Sequence, residues 1–274
     1  MKVFNLQMTS KPDVEQNLMF VEQQLRDAAE EVAGNLVVLP ECFAFFGGKD
    51  QQQAEIAELR GDGVIQTELS RLAKTYRVGL VAGSIPIKSE ESKKFYNTCF
   101  VFDPEGKLVA SYDKIHLFDV AVGDNTGQYR ESDCAEAGDR IEMFEFCGYK
   151  VGVAICYDLR FPGLFQQLRK LGAELVVLPS AFTAKTGNVH WHTLIKARAI
   201  ENQCYFAGCN QSGEHQNGRR TYGHSLIVDP WGEILADAEQ RNGLTSAKLE
   251  KERLVKIRNA MPVQLHARFK SSKI

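Results

Sequence analysis

NLVVLPECF at residues 35–43 and ELVVLPSAF at residues 174–182 share one pattern: a polar residue, four aliphatic residues and a proline. Such a run, closed by proline and too short for a buried helix, reads as a strand covered on both faces. The segments after each run match as well. VAGS (81–84) and FAGC (206–209) come next, and after them VFDPEGKLVA (101–110) and IVDPWGEILA (227–236). The D-P-x-G core is a turn signal, because proline presets φ and glycine tolerates positive φ. The order strand, helix, strand, hairpin thus occurs twice in 274 residues. Two related halves would supply two sheets packed face to face with helices outside, an α/β fold in the form of a four-layer α-β-β-α sandwich. Independent recurrence of common hairpin chemistry is the competing explanation of the repeat.

The rest of the chain fits this alternation. VFNLQM, VGLVAGS, TCFVFD, YKVGVAI, CYFAGCN and HSLIVDP are further strand-length runs. Helical spacing of apolar residues predicts helices over 14–33, 67–76, 165–171 and 190–202. No low-complexity linker divides the chain, and the polar stretches 88–94 and 214–220 read as loops. A single domain over residues 1–274 is expected.

Composition narrows the function classes. Hydrophobic residues make up 44% and charged residues 25%, enough to bury a large core, and the formal net charge of -2 offers no basic field for nucleic acid or acidic lipid. The start, MKVFNLQMTSKPD, is broken by Asn5 and Gln7 and lacks the apolar core of a signal peptide; no run is long enough to cross a membrane. The seven cysteines are scattered, odd in number and never spaced C-x-x-C, which speaks against a disulfide framework or a zinc site and for a cytoplasmic setting.

Three positions carry candidate chemistry. Cys156 ends the apolar run 151–155 and precedes Y-D-L-R-F-P-G, a strand, turn and helix that would expose a nucleophile beside backbone N–H groups. Helix N-terminal amides lower a thiol pKa and can stabilise an oxyanion, although a strand-end cysteine also serves as small core filler. Glu41 follows NLVVLP, where ligands of α/β sheets collect, and its neighbours Pro40, Cys42, Phe43, Phe45 and Phe46 make an apolar setting suited to a general base; a helix cap is the plainer role. Lys114, in YDKIHLF, would snorkel from a strand edge or, if buried, need a carboxylate partner, for which Glu131 in YRESD is a candidate.

The strings LPECF, YDKIHLFD and VGVAICYDLRFPGL resemble the three signature blocks of the carbon–nitrogen hydrolase (nitrilase) superfamily, in order and across nearly the whole chain. The resemblance implies the same four-layer sandwich and a catalytic Glu41, Lys114 and Cys156. It also implies Glu131 as a second glutamate orienting the lysine, the Tyr157 N–H as oxyanion donor, and no metal or organic cofactor. Tyr157-Asp158 after the nucleophile is the amidase-like form, where true nitrilases carry Trp-Glu. The block C-Y-D-L-R-F-P with PSAFTAKTG and HW looks closest to amidases of deaminated glutathione; omega-amidases acting on 2-oxoglutaramate are the alternative, and more often have Met and Ala at Leu159 and Pro162. Another small carboxylated or carbamoyl amide is a broader alternative. The implied substrate is a small carboxylate-bearing amide, for which Arg160, Phe182 and Thr183 are candidate contacts. Arg160 could equally tie the turn to a neighbouring carboxylate.

Other readings remain. A Cys–His hydrolase lacks its local signatures here, a non-catalytic binding protein would not need all three residue types, and a redox role for Cys156 would look to Cys42 as its resolving thiol. His190 and His192 stand two apart on an expected helix and so cannot pair on one face as metal ligands. Leu164, Phe165, Leu168 and Leu171 form a helical stripe whose default is core, while the resemblance implies a homodimer through that helix and the C-terminal segment, or a higher homo-oligomer. The basic tail, 251–273, could wrap a partner or stay solvated.

Overall fold

The two repeats fold alike. In the computed structural model, which describes residues 1–49, 52–123 and 128–269, each repeat gives three parallel strands and then an antiparallel hairpin. Lys2–Gln7, Leu36–Val38 and Gly79–Val81 lie parallel, followed by Phe95–Phe102 hairpinned to Leu108–Asp113. The second half repeats the order with Tyr149–Val153, Leu175–Ser180 and Tyr205–Asn210, then Leu226–Val228 hairpinned to Ile234–Asp237. The D-P-x-G turns match in detail. Asp103 Oδ1 accepts from the N–H groups of Glu105 and Lys107 at 3.0 and 2.8 Å, and Asp229 Oδ1 from those of Trp231 and Glu233 at 2.9 and 2.8 Å. Gly106 and Gly232 hold φ of 80° and 90°, which only glycine adopts freely. One late strand ties the halves together, because Gly243–Lys248 returns to the first sheet beside Lys2–Gln7.

Strand alternation makes the layers. Val3, Leu36, Val38 and Val81 point from the first sheet into a core shared with Val151, Val153 and Val177 of the second. Their neighbours Phe4, Val37, Leu39 and Leu80 point the other way, against Val21, Leu25, Leu69 and Leu72 of the helices Val14–Asp27 and Val64–Tyr76. Phe165, Leu168, Trp191 and Ile195 from Pro162–Lys170 and Ala184–Asn202 cover the far face of the second sheet. The result is the expected helix, sheet, sheet, helix stack. Polar side chains also cross the middle; among them, Asn5 Nδ2 donates to the carbonyls of Gly208 and Leu226 at 3.2 and 3.0 Å.

Helix ends depart from the expected spans for identifiable reasons. The 14–33 helix divides at Ala28 into Val14–Asp27 and Ala29–Val32, the second turn burying Val32. The 67–76 helix begins at Val64, because the Glu58 carboxylate, from outside the helix, accepts the N–H groups of Ile65 and Gln66 at 2.6 and 3.1 Å. The helix read as 165–171 spans Pro162–Lys170, with proline at its first position. The 190–202 helix begins at Ala184, capped by the Thr183 hydroxyl accepting from Thr186 N–H at 3.3 Å. Its apolar period is weak at the start because it passes the Tyr222 ring at Gly187, where a Cβ would come within 2.3 Å of that side chain. Leu164, Phe165 and Leu168 are core, and Leu171 is exposed. The described part of the basic tail includes the helix Lys251–Ala260, which buries Leu254 and Ile257; residues 270–273 lie outside the described residues. Among those described, no helix is long and apolar enough to cross a membrane.

Candidate active site

Glu41 and Cys156 stand just past the carboxyl ends of two parallel strands, Leu36–Val38 in the first sheet and Tyr149–Val153 in the second. Both turns use positive φ at a non-glycine residue, 53° at Cys42 and 44° at Cys156. Such backbone costs about 1–2 kcal/mol, so the surroundings must hold it. At the first turn the Cys42 N–H donates to Ser84 Oγ at 2.9 Å and the Glu41 carbonyl accepts from Gln211 Nε2 at 3.1 Å. At the second, the Asp158 carboxylate is wholly buried and accepts from Ile155 N–H (2.8 Å), Tyr112 Oη (2.7 Å), His116 N–H (3.1 Å) and His116 Nδ1 (2.6 Å). His116 in turn stacks on Phe161, ring centroids 3.7 Å apart. Cys156 therefore opens a single tight turn, Cys156–Arg160, and the longer helix starts only at Pro162.

The Lys114 ammonium, 2% exposed, lies between two carboxylates, 2.8 Å from Glu41 Oε1 and 2.8 Å from Glu131 Oε2. It points inward, and its partners answer the cost of burying a charge. Burial opposes its charge, but the Glu131 and Glu41 carboxylates outweigh burial and hold the ammonium well above its ordinary pKa. Asn97 Nδ2 bridges the same two acids, 3.1 Å from Glu41 Oε1 and 3.2 Å from Glu131 Oε1. Phe118 N–H fixes the other Glu131 oxygen at 2.7 Å.

Cys156 is buried against this cluster and its thiol is pushed well above the ordinary value, first by burial and then by the Glu41 charge; Lys114 and the Ala181 N–H pull the other way. This corrects the expectation of a thiol acidified by helix amides: burial and a facing carboxylate outweigh one short turn. Cys42 is pushed up as well, by burial and then Glu41, so neither thiol has the low pKa that a redox pair needs.

The cluster floors a pocket of about 140 Å³ walled by Phe45, Phe46, Phe118, Tyr129, Tyr157 and Phe182. Lys49, Arg130, Arg160, Arg219 and Arg220 add positive charge to its lining. Phe182 and Thr183 both line it. The Arg160 guanidinium sits 5.4 Å from the Phe182 ring centroid and 5.8 Å from that of Tyr157, with Nη1 3.1 Å from His190 Nδ1.

A family model described as carbon-nitrogen hydrolase matches residues 3–259. The chain belongs to the carbon–nitrogen hydrolase family. As a member it is a hydrolase acting on carbon–nitrogen bonds. It is similar to a deaminated glutathione amidase of Yersinia enterocolitica, 41% identical over 268 residues, which cover 97% of this chain and 93% of that protein. It is also similar to omega-amidase NIT2 of Xenopus tropicalis, 38% identical over 263 residues, 96% of this chain and 93% of that one. The crystal structure of Saccharomyces cerevisiae Nit3 superimposes with a TM-score of 0.88 at 34% identity, covering 98% of this chain and 97% of that one. For this carbon–nitrogen hydrolase, the residues that sequence reasoning missed are Asn97 and Asp158. Asn97 is a polar residue inside the apolar strand Phe95–Phe102, the one signal that could have exposed it; Asp158 looked like an ordinary turn residue beside Cys156.

Proposed function

We propose that this carbon–nitrogen hydrolase is an amidase working through a Cys156 thioester, with deaminated glutathione as substrate and 2-oxoglutarate and cysteinylglycine as products. The observation that carries the reading is the buried Glu41–Lys114–Glu131 cluster set against a neutral thiol at the base of a cationic pocket. Glu41 takes the thiol proton as Sγ attacks the amide carbonyl carbon. The oxyanion is met by the Lys114 ammonium and the Tyr157 N–H. Glu131 and Asn97 hold that ammonium in place while Glu41 changes its protonation state. When the tetrahedral adduct collapses, the C–N bond breaks, Glu41 returns the proton to the departing nitrogen, and the acyl group stays on Sγ. Glu41 then deprotonates a water that attacks the thioester carbonyl, and sulfur leaves as the thiol with that proton. No step calls on a metal or cofactor.

The positive lining suits a substrate with a carboxylate at each end, and Arg160, braced on two rings, is the candidate clamp for one of them, with Phe182 and Thr183 completing that wall. The similarity to an omega-amidase favours 2-oxoglutaramate as the second reading. Measuring 2-oxoglutarate release from both compounds at matched low concentration decides between them. A kcat/KM at least tenfold higher for deaminated glutathione, about 1.4 kcal/mol in transition-state binding, is expected. The reverse preference makes the protein an omega-amidase, and turnover of neither refutes both substrates. The same reading takes residues 1–274 as one domain and the protein as a cytoplasmic homodimer that binds neither nucleic acid nor membrane.

A further inference from the structure

His190 and His192 leave the helix Ala184–Asn202 in different directions, and His192 meets ligands that helix spacing alone could not reveal. His190 faces Arg160, whereas His192 Nε2 reaches across to the hairpin, 3.3 Å from Asp237 Oδ2. Both Asp237 oxygens stand 3.1 Å from Nδ1 of His224. The three potential ligand atoms lie within 4.8 Å of one another. Bonds of about 2.0–2.1 Å to a tetrahedral zinc ion put neighbouring ligands about 3.3 Å apart. The two edges through Asp237 already have that length, so only the gap between the imidazoles must shorten. We propose that His192, His224 and Asp237 form a binding site for a divalent transition-metal ion of the zinc class.

The surroundings hold the ligands in place without closing the site. His224 has φ of 52°, and its backbone is pinned from both sides: its N–H donates to the Glu239 carbonyl at 2.6 Å, and its carbonyl accepts from Trp191 Nε1 at 2.6 Å. Its ring stacks on Tyr222, centroids 4.6 Å apart. Asp237 Oδ1 accepts the Glu239 N–H at 2.7 Å, which orients the carboxylate. The side chains keep 22–32% of their exposure, which leaves room for water to complete the shell. Two imidazoles and one carboxylate select zinc, cobalt, nickel or copper over magnesium or calcium. None of the three lines the catalytic pocket. A bound ion would staple the long helix to the Leu226–Val228 and Ile234–Asp237 hairpin.

The test is titration of chelator-treated full-length protein with ZnCl2 by calorimetry, and with CoCl2 by visible absorption. Expected are one equivalent bound, cobalt d–d bands without thiolate charge transfer, and a Tm rise of about 5 °C or more at hundredfold excess over Kd. His192→Ala should weaken binding at least tenfold while leaving amidase kcat/KM of the metal-free protein unchanged. Asp237→Asn keeps the side-chain volume and guards against a folding artefact, and it should weaken binding likewise. No saturable binding, affinity unaffected by either substitution, or a thiolate spectrum would each overturn the proposal.

Discussion

Replacing Asp158 by asparagine takes one charge from the base of the Cys156 turn and makes one acceptor oxygen a donor. Four donors now converge on that carboxylate: two on Oδ2, from Tyr112 and Ile155, and two on Oδ1, from His116. Asparagine can satisfy one pair only. If its NH2 faces the first pair, the Ile155 N–H is left buried and unpaired, at about 1–3 kcal/mol, and the charge-assisted bond to Tyr112 is lost as well. If it faces His116, the Phe161 stack loosens instead. Removing the charged partner from a buried network of this kind costs about 3–5 kcal/mol in all. For a chain of this size that corresponds to a Tm fall of roughly 6–20 °C. Because Cys156 keeps its positive φ through this turn, a sulfur displaced by about 1 Å should also lose about a hundredfold in kcat/KM. Thermal unfolding and 2-oxoglutarate release from the same preparation measure both. A variant with wild-type Tm and wild-type kcat/KM would refute the view that Asp158 holds the turn; a lower Tm with unchanged kcat/KM would confine its role to stability.

Glu41→Gln should lower kcat by about 10²–10⁴-fold with the fold intact, as checked by circular dichroism and steady-state kinetics; near-normal turnover would point to another base. Asn5→Ala leaves two carbonyls of the second sheet without their donor and should cost about 1–3 kcal/mol in urea unfolding, and a change near zero would show that the bridge across the sheets carries no net stability. Stability should fall at alkaline pH. Burial raises the thiols of Cys42, Cys99, Cys156, Cys204 and Cys209, Cys204 to about 11, so above about pH 8.5 the unfolded chain gives up protons that the folded chain keeps. Each contributes a slope of up to about 1.4 kcal/mol per pH unit, and Cys99→Ala should remove one such increment from urea unfolding curves taken between about pH 8 and 10.

Much of the architecture was legible because the repeat is written in residues whose roles are local. NLVVLP and ELVVLP are strands by length and branching, and Asp103 and Asp229 build their turns from their own neighbours. Helix starts were less legible where the cap lies elsewhere: Glu58 caps a helix from a separate segment, and Tyr222 requires a glycine inside another. Glu41 and Cys156 stood out by their places beyond strand ends, Lys114 only by following the first hairpin, and family resemblance named the three as a set. What one strand reading cannot give is which groups converge from distant segments. Asn97 joins two acids, Asp158 gathers donors from three places, and His192 meets a hairpin far along the chain. The raised thiol was not legible from its own turn either, since it comes first from burial and then from the Glu41 charge.

The central claim is an acyl group carried on Cys156. Mixing enzyme with deaminated glutathione, quenching in acid during turnover and mapping the digested protein by mass spectrometry tests it directly. The account predicts a 2-oxoglutaryl thioester on the peptide containing Cys156, absent from Cys156→Ala, which should also release no product. Product release by Cys156→Ala, or an acyl group found on another residue during turnover, would contradict it.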